Sequence, residues 1–225
     1  MSQLKTEGIV LRKVDFSETS RIVTFLTPYR GRLACMVKGA RRKGSPLAAL
    51  LDTYNHLEIT YAHKENRNIQ LMTEAVLLNG YGAIKANVEH IACAAFLLET
   101  AGLAAQENNP APELFQATCE GLERLAAEAD NPFMPLVSSI YEILEASGYA
   151  PDTEEITFAN YTRSLTHSEK KMLAETIEIV ASGEPLAENN RAFLVLRFLH
   201  DYGQHHFEKP MKSYAFLKSF MGTQR

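Results

Sequence analysis

The sequence of 225 residues predicts a multidomain protein with both α and β structure. We expect an N-terminal five-stranded OB-fold β-barrel over residues 1–80, and an all-α helical domain over 81–225 that ends in a short basic helix. In the first eighty residues apolar side chains recur with a period of two, the pattern of half-buried strands. From Ile84 onward the period becomes helical, and the turn-rich sequence Asn79-Gly80-Tyr81-Gly82 separates the two patterns.

Five strands are predicted in the first domain. In Arg32–Lys38 the alternation would bury Leu33, Cys35 and Val37, so that Arg32 and Lys38 share the outer face. A longer basic connection separates the third strand from the fourth. This arrangement is typical of an OB-fold, a barrel that often binds nucleic acid, and an SH3-like barrel fits nearly as well. The predicted strands are Thr6–Val14, Arg21–Thr27, Arg32–Lys38, Leu57–Tyr61 and Ile69–Val76.

Six helices are predicted in the second domain from boundary residues and apolar periodicity. Pro112 is suited to the start of the second helix, and Gly148 to the end of the third. Thr166 and Glu169 have capping-box spacing and open the fourth. The predicted helices are Ile84–Ala105, Pro112–Glu128, Pro132–Gly148, Thr166–Ser182, Arg191–Phe207 and Lys212–Met221.

The charge of the chain is unevenly distributed, although its formal total is only −4. Residues 1–82 carry 12 basic and 7 acidic residues, a net charge of +5. Residues 83–208 carry 7 and 20, a net charge of −13, and residues 209–225 carry 4 and none. This asymmetry favours nucleic acid as the partner of the basic first segment. The basic tail is expected to extend the same surface.

The basic segment contains a cluster, residues 30–43, with six basic residues and no acid. Clustered Lys and Arg release condensed counterions when they neutralise a phosphate backbone, which favours a phosphate-contacting strand and loop. A solvated basic loop is the alternative. The candidate DNA-binding residues are Arg32, Lys38, Arg41, Arg42 and Lys43, followed by Arg30, Arg12, Lys13 and Arg21.

No pattern typical of an enzyme, metal site or cofactor site is found. Gly44-Ser45 lacks the lysine that a phosphate-binding Walker loop needs, and Cys35, Cys93 and Cys119 are too far apart in sequence for a structural zinc site. Cys35 and Cys93 are predicted to be core residues. The three scattered cysteines, the polar N-terminus and short apolar runs such as Ala92–Leu98 indicate a reduced, cytoplasmic protein without a membrane span.

Several strings of residues resemble one known family. Phe16–Ser20, Thr27–Leu33 and Val37–Ser45, the last containing the stretch KGARRKGS, resemble in order and spacing the N-terminal region of the RecO family of bacterial DNA repair proteins. Tyr141–Pro151 is similar to the family's helix with a Gly-Tyr-x-Pro stop, and Lys209–Met221 to its C-terminal signature. The resemblance runs nearly end to end and is strongest over residues 8–80.

The resemblance implies a recombination mediator that is not an enzyme. Such proteins bind single- and double-stranded DNA, anneal complementary strands and act with RecR. Together they help RecA to replace the single-strand-binding protein on DNA. Many members carry a four-cysteine zinc module after the Gly-Tyr-x-Pro stop, and the corresponding stretch here, Asp152–Thr166, has no cysteine.

The single-strand-binding protein is a further candidate partner, because some members bind its acidic tail on their helical domain. The net charge of −13 over residues 83–208 opposes that contact unless Arg191 and Arg197 form a local basic patch. A different class of function also remains open. In it the barrel is a protein–protein scaffold that docks an acidic partner protein.

Overall fold

The structure is a computed structural model that describes residues 2–152, 156, 162–184, 186 and 189–221. Its contacts divide the chain into two compact units. The first comprises Met1–Tyr81 together with Ala105–Cys119, and the second comprises Gly82–Ala104 and Glu120–Arg225. The domain boundary predicted after residue 80 stays a prediction.

The first unit contains a closed five-stranded barrel with the strand order β1-β2-β3-β5-β4. All neighbouring strands are antiparallel except β3 and β5, which pair in parallel through Ala34 and Ile69. This confirms the predicted OB-fold, a closed barrel of five strands. The strands are β1 (Ser2–Asp15), β2 (Arg21–Thr27), β3 (Gly31–Val37), β4 (His56–His63) and β5 (Ile69–Asn79).

The barrel closes because β1 is long enough to pair with two strands. Its first half, Ser2–Ile9, pairs with β4, and its second half, Ile9–Asp15, pairs with β2. The register shifts between Val10 and Arg12, where an extra residue bends the strand. The alternating side chains of the strands fill the interior, so that Phe25, Cys35 and Ile59 are fully buried.

One end of the barrel is filled by the connection between β3 and β4. Ala40 is fully buried in the barrel core, together with Leu51. Between them lies a short helix, α1 (Pro46–Leu50), whose Leu47 and Leu50 pack against the same core. The sequence analysis did not predict this helix. Proline is favoured in a first helical turn because its missing N–H has no partner there.

The elements after Tyr81 are helical, and they largely follow the predicted boundaries. The predicted helix Ile84–Ala105 is instead two helices separated at Asn87, whose side chain accepts from the backbone N–H of Glu89 in the second of them. Thr166 caps its helix as predicted: its hydroxyl accepts from the backbone N–H of Glu169, and the Glu169 carboxylate accepts from that of Thr166. No helix among the described residues is long and apolar enough to cross a membrane. The helices are α2 (Gly82–Ala86), α3 (Val88–Ala104), α4 (Pro112–Ala127), α5 (Phe133–Ala146), α6 (His167–Ala181), α7 (Asn189–Phe207) and α8 (Ser213–Lys218).

The basic C-terminal helix α8 is shorter than the predicted Lys212–Met221. The Glu99 carboxylate on α3 accepts hydrogen bonds from the backbone N–H of Lys212 at 3.0 Å and of Ser213 at 2.7 Å. Tyr214 stacks on His200 of α7 with ring centroids 4.1 Å apart. The start of the tail is therefore fixed within the second unit, and its expected contribution to a basic barrel surface stays a prediction.

The segment Ala105–Cys119 packs against the β2–β3 turn of the barrel. The backbone N–H of Arg32 donates to the carbonyl of Gln106 at 3.0 Å, and that of Ala111 donates to Pro28 at 2.9 Å. Gly31 adopts a φ of +52° at this contact. A Cβ there would lie 2.1 Å from the carbonyl oxygen of Gln106, so the close approach requires glycine.

This contact predicts a difference between two glycine substitutions. Gly44 has a φ of +78° and open space around it, so Gly44→Ala should lower the free energy of unfolding by about 1–2 kcal/mol, the cost of the left-handed backbone alone. Gly31→Ala also forces the backbone contact with Gln106 apart and should cost at least about 3 kcal/mol. Urea unfolding followed by circular dichroism measures both. Equal losses would contradict the close packing at Gly31.

Candidate nucleic-acid interface

The central feature of the candidate site is the connection of residues 38–45, here called the basic loop. Ala40 anchors it in the barrel core, and two successive turns close it, from Arg42 N–H to the Gly39 carbonyl and from Ser45 N–H to that of Arg42, both at 3.0 Å. Gly44, the third residue of the second turn, provides a positive φ of +78° there. Arg42 and Lys43 are left fully on the outside of the loop.

Arg41 connects the basic loop to the turn of residues 16–20, which joins β1 to β2. Its backbone N–H donates to the carbonyl of Thr19 at 3.1 Å, and its guanidinium donates to the carbonyl of Ser17. The guanidinium also pairs with Asp15, with Nε 3.2 Å from Oδ2. Arg21 binds the other oxygen of Asp15 at 2.8 Å. The hydrogen bond from Arg21 is the main reason why the pKa of Asp15 is lowered.

Three more of the predicted site residues are also engaged. Lys13 pairs with Asp52 at 2.8 Å, and Arg32 approaches Glu107 at 3.9 Å with its side chain only 27% exposed. Arg30 is half-buried and hydrogen bonds to the hydroxyl of Tyr61, whose pKa is raised chiefly by burial. These side chains are held in place by the fold and are less available to a ligand.

Four of the predicted residues form no ion pair among the described residues: Arg12, Lys38, Arg42 and Lys43. All four are exposed. Lys38 directly follows β3, and Arg12 lies on β1 opposite Thr24, so both lie on the side of the barrel that carries the basic loop. Arg30 and Arg32 lie at the other end of β3, about 20 Å away at the rise of a β-strand. The structure therefore divides the predicted site into a cluster and two distant residues.

A row of apolar side chains crosses the outer face of the barrel between these cations. Val14 on β1 is in register with Ile22 on β2, which faces Met36 on β3, which faces Leu71 on β5. Val14 is 43% exposed and the other three are half-buried. We call these four residues the apolar row. Arg12 lies beside one end of it, and Lys38 and the basic loop lie along its other side.

Sequence reasoning missed the apolar row because its members are spread over four strands. The alternation within each strand marks Val14, Ile22 and Met36 as outward-facing, but only the register shows that they are neighbours. Barrels of this fold bind oligonucleotides on the face of β2 and β3, where apolar and aromatic side chains meet the bases and cations meet the phosphates. The observed arrangement suits that kind of ligand.

Four aromatic residues of the first unit lie in different environments. Phe25 and Tyr61 are buried in the barrel core. Tyr29 is 70% exposed in the turn after β2, and Tyr54 is half-buried. Of these four, Tyr29 is the most accessible to a ligand.

Two models of known protein families match the sequence of this chain. The family model described as "Recombination protein O N terminal" matches residues 1–81, and the model described as "Recombination protein O C terminal" matches residues 86–157. The chain belongs to the RecO family. Three relatives of this family, each named "DNA repair protein RecO", show how far the similarity extends.

The relative from Exiguobacterium sibiricum is 31% identical over 168 residues, which are 72% of this chain and 66% of that protein. The one from a Nocardioides species is 30% identical over 192 residues, which are 82% of this chain and 78% of that protein. The one from Salinibacter ruber is 31% identical over 124 residues, 55% of this chain. The match spans about half of the Salinibacter protein, 48% of its length.

The cysteines of this RecO-family chain lie in its core. Cys35, Cys93 and Cys119 are all buried, as predicted for the first two. Burial raises the pKa of Cys35 to about 12 and also raises that of Cys93, so neither is a thiolate at neutral pH. The cysteine-free stretch Asp152–Thr166 lies mostly outside the described residues, and within the described part no three metal-binding side chains form a cluster.

The lowered pKa of Asp15 predicts how pH affects the site. The folded state holds the charged carboxylate, so its contribution to stability is complete above the ordinary value of 3.8 and is lost as the pH falls through the lowered value. Asp15→Asn should therefore destabilise the protein at pH 7, and this difference should shrink as the pH falls below 3.8. Thermal unfolding of both proteins across this range measures the effect. A difference that persists unchanged at the lowest pH would contradict the ion pairs with Arg21 and Arg41.

Proposed function

We propose that this RecO-family protein is a DNA-binding recombination mediator in DNA repair. The basic loop and the apolar row bind single- and double-stranded DNA and bring complementary strands together for annealing. The observation that carries the proposal is the set of four exposed cations around that row, Arg12, Lys38, Arg42 and Lys43, which form no ion pair within the described part of the chain. The protein acts in the cytoplasm and uses no catalytic residue.

The chemistry of these cations favours binding without sequence reading. Lysine and arginine side chains on a loop contact phosphates, which position a strand and carry no sequence information. Neutralising the phosphates of two strands at once lowers the repulsion between them, which is the physical basis of annealing. If the four exposed cations each neutralise one phosphate, log K for a single strand should fall against log[salt] with a slope of about −2.8.

The partner proteins are proposed from the family. RecR would act with this protein, and together they would promote RecA loading on strands covered by the single-strand-binding protein. A contact with the acidic tail of that protein would need a local basic patch on the helical unit. Arg197 is exposed there, but its guanidinium donates to the Ser164 hydroxyl at 3.1 Å and lies near Asp201. This arrangement supports the tail contact only weakly.

The scaffold alternative predicts different solution behaviour. An acidic partner protein would bind the same cations, but its affinity would depend on specific apolar contacts and would persist at high salt. Polyanions of any kind would then compete without preference for nucleic acid. The partly exposed apolar row favours DNA over that alternative, because its Ile22 and Met36 lie on β2 and β3, the strands whose face binds oligonucleotides in barrels of this fold.

The proposal predicts the behaviour of a double variant. Arg42→Ala with Lys43→Ala removes two exposed cations of the basic loop and should make the salt slope shallower by about 1.4 for single strands. It should also slow strand annealing. Salt-titrated fluorescence anisotropy with a labelled oligonucleotide measures the slope.

A matched control removes two exposed cations from the second unit, by Arg163→Ala with Lys171→Ala. It has the same net charge as the double variant and should bind and anneal as the wild type does. Equal losses in the two variants would mean that total charge matters and the basic loop does not. Wild-type binding that does not change with salt would contradict the proposed function itself.

A further inference from the structure

Phe16 is an exposed aromatic residue to which the proposed function above assigns no role. It lies in the turn of residues 16–20 and is 58% exposed. It follows Val14 by two residues, so it lies on the same outward face as Val14, just beyond the apolar row. Arg41 connects this turn to the basic loop by its hydrogen bonds to Thr19 and Ser17. Burial of the ring would be favourable, and nothing in the described fold covers most of it.

The geometry points to Phe16 as a base-stacking residue: we propose that its ring stacks on an unpaired base of the bound strand and so gives the site a preference for single-stranded nucleic acid. This inference rests on the proposed function and deepens it. The cations of the basic loop bind phosphates of any strand, whereas an aromatic ring distinguishes strands by whether their bases are free to stack. In a duplex both faces of each base are already stacked.

The turn that carries Phe16 is rigid enough to present the ring. The backbone N–H of Phe16 donates to the carbonyl of Ser20 at 3.1 Å, and that of Ser20 donates to the Ser17 hydroxyl at 3.2 Å. Arg41 contributes its bonds to Ser17 and Thr19 from the basic loop. Because the backbone is already fixed, binding a base costs little further ordering of the protein.

Tyr29 provides a natural contrast. It is also exposed, but it lies in the turn at the other end of β2, about 20 Å away at the rise of a strand. The hollow beside it is lined by Glu7 and Glu58 as well as Lys5. These three side chains are one cation and two carboxylates, and Lys5 is paired with Glu58 at 2.7 Å, so the hollow does not attract a phosphate backbone. The turn that carries Phe16, in contrast, is hydrogen bonded to Arg41 of the basic loop. Exposure by itself therefore does not make an aromatic residue a candidate for base stacking.

The test compares an oligothymidylate with an abasic oligomer of the same length, which keeps the phosphates and lacks the bases. Phe16→Ala should weaken binding of the oligothymidylate by about 5- to 150-fold, the range of one lost stacking contact, and leave the abasic oligomer and a duplex unchanged. Tyr29→Ala should change none of the three. The double variant of Arg42 and Lys43 should weaken all of them, so loss of the phosphate contact is separable from loss of stacking.

A second variant gives a direct signal. The chain contains no tryptophan, so Phe16→Trp introduces a single indole whose fluorescence the oligothymidylate should quench and the abasic oligomer should not. Unchanged affinity of Phe16→Ala for the oligothymidylate, or equal weakening of both oligomers, would overturn the inference, as would the absence of quenching in Phe16→Trp. If the wild type binds neither oligomer, the proposed function fails, and the stacking inference fails with it.

Discussion

The burial of Ala40 is the constraint on which the candidate interface depends. A small closed barrel must fill its open ends with apolar atoms, and this one uses Ala40 with residues of α1 at the end next to the β1–β2 turn. Once that small side chain is fixed inside, the residues around it in the basic loop have no room in the core. Arg42 and Lys43 are thereby displayed outward, while Arg41 is held by Asp15 and by the turn of residues 16–20.

The cations of the barrel divide into those that hold the structure and those that remain for a ligand. Asp15 forms ion pairs with Arg21 and Arg41, and Asp52 forms one with Lys13. These pairs hold the basic loop and the turn of residues 16–20 in a fixed arrangement. Exposed ion pairs of this kind add little stability individually, but two arginines on one carboxylate fix the geometry of the loop. A preordered loop binds phosphates with less loss of entropy than a flexible one does.

The sequence predicted the architecture, whereas the grouping of the candidate site residues in space depends on the fold. Strands and helices were predicted because their periodicity and caps are local, as the Thr166–Glu169 capping box shows. The cluster of basic residues at 30–43 is also visible in the sequence, because it contains six cations and no acid. A count of charges along the chain does not show which side chains are close together in the fold. Arg32 pairs with Glu107, which lies 75 residues later in the chain. The apolar row likewise depends on the register of four strands. The exposure of Phe16 depends on the folded turn of residues 16–20 and so has no signal in the sequence.

The proposed nucleic-acid contact consists of the basic loop, the turn of residues 16–20 and the apolar row. Chemical-shift perturbation of the ¹⁵N-labelled full chain by a short oligothymidylate tests this most directly. The account predicts that the perturbed amides cluster at residues 12–22 and 36–44, with Val14, Met36 and Arg42 among them. Perturbations confined to the helices α5–α7, with the basic loop unchanged, would contradict it.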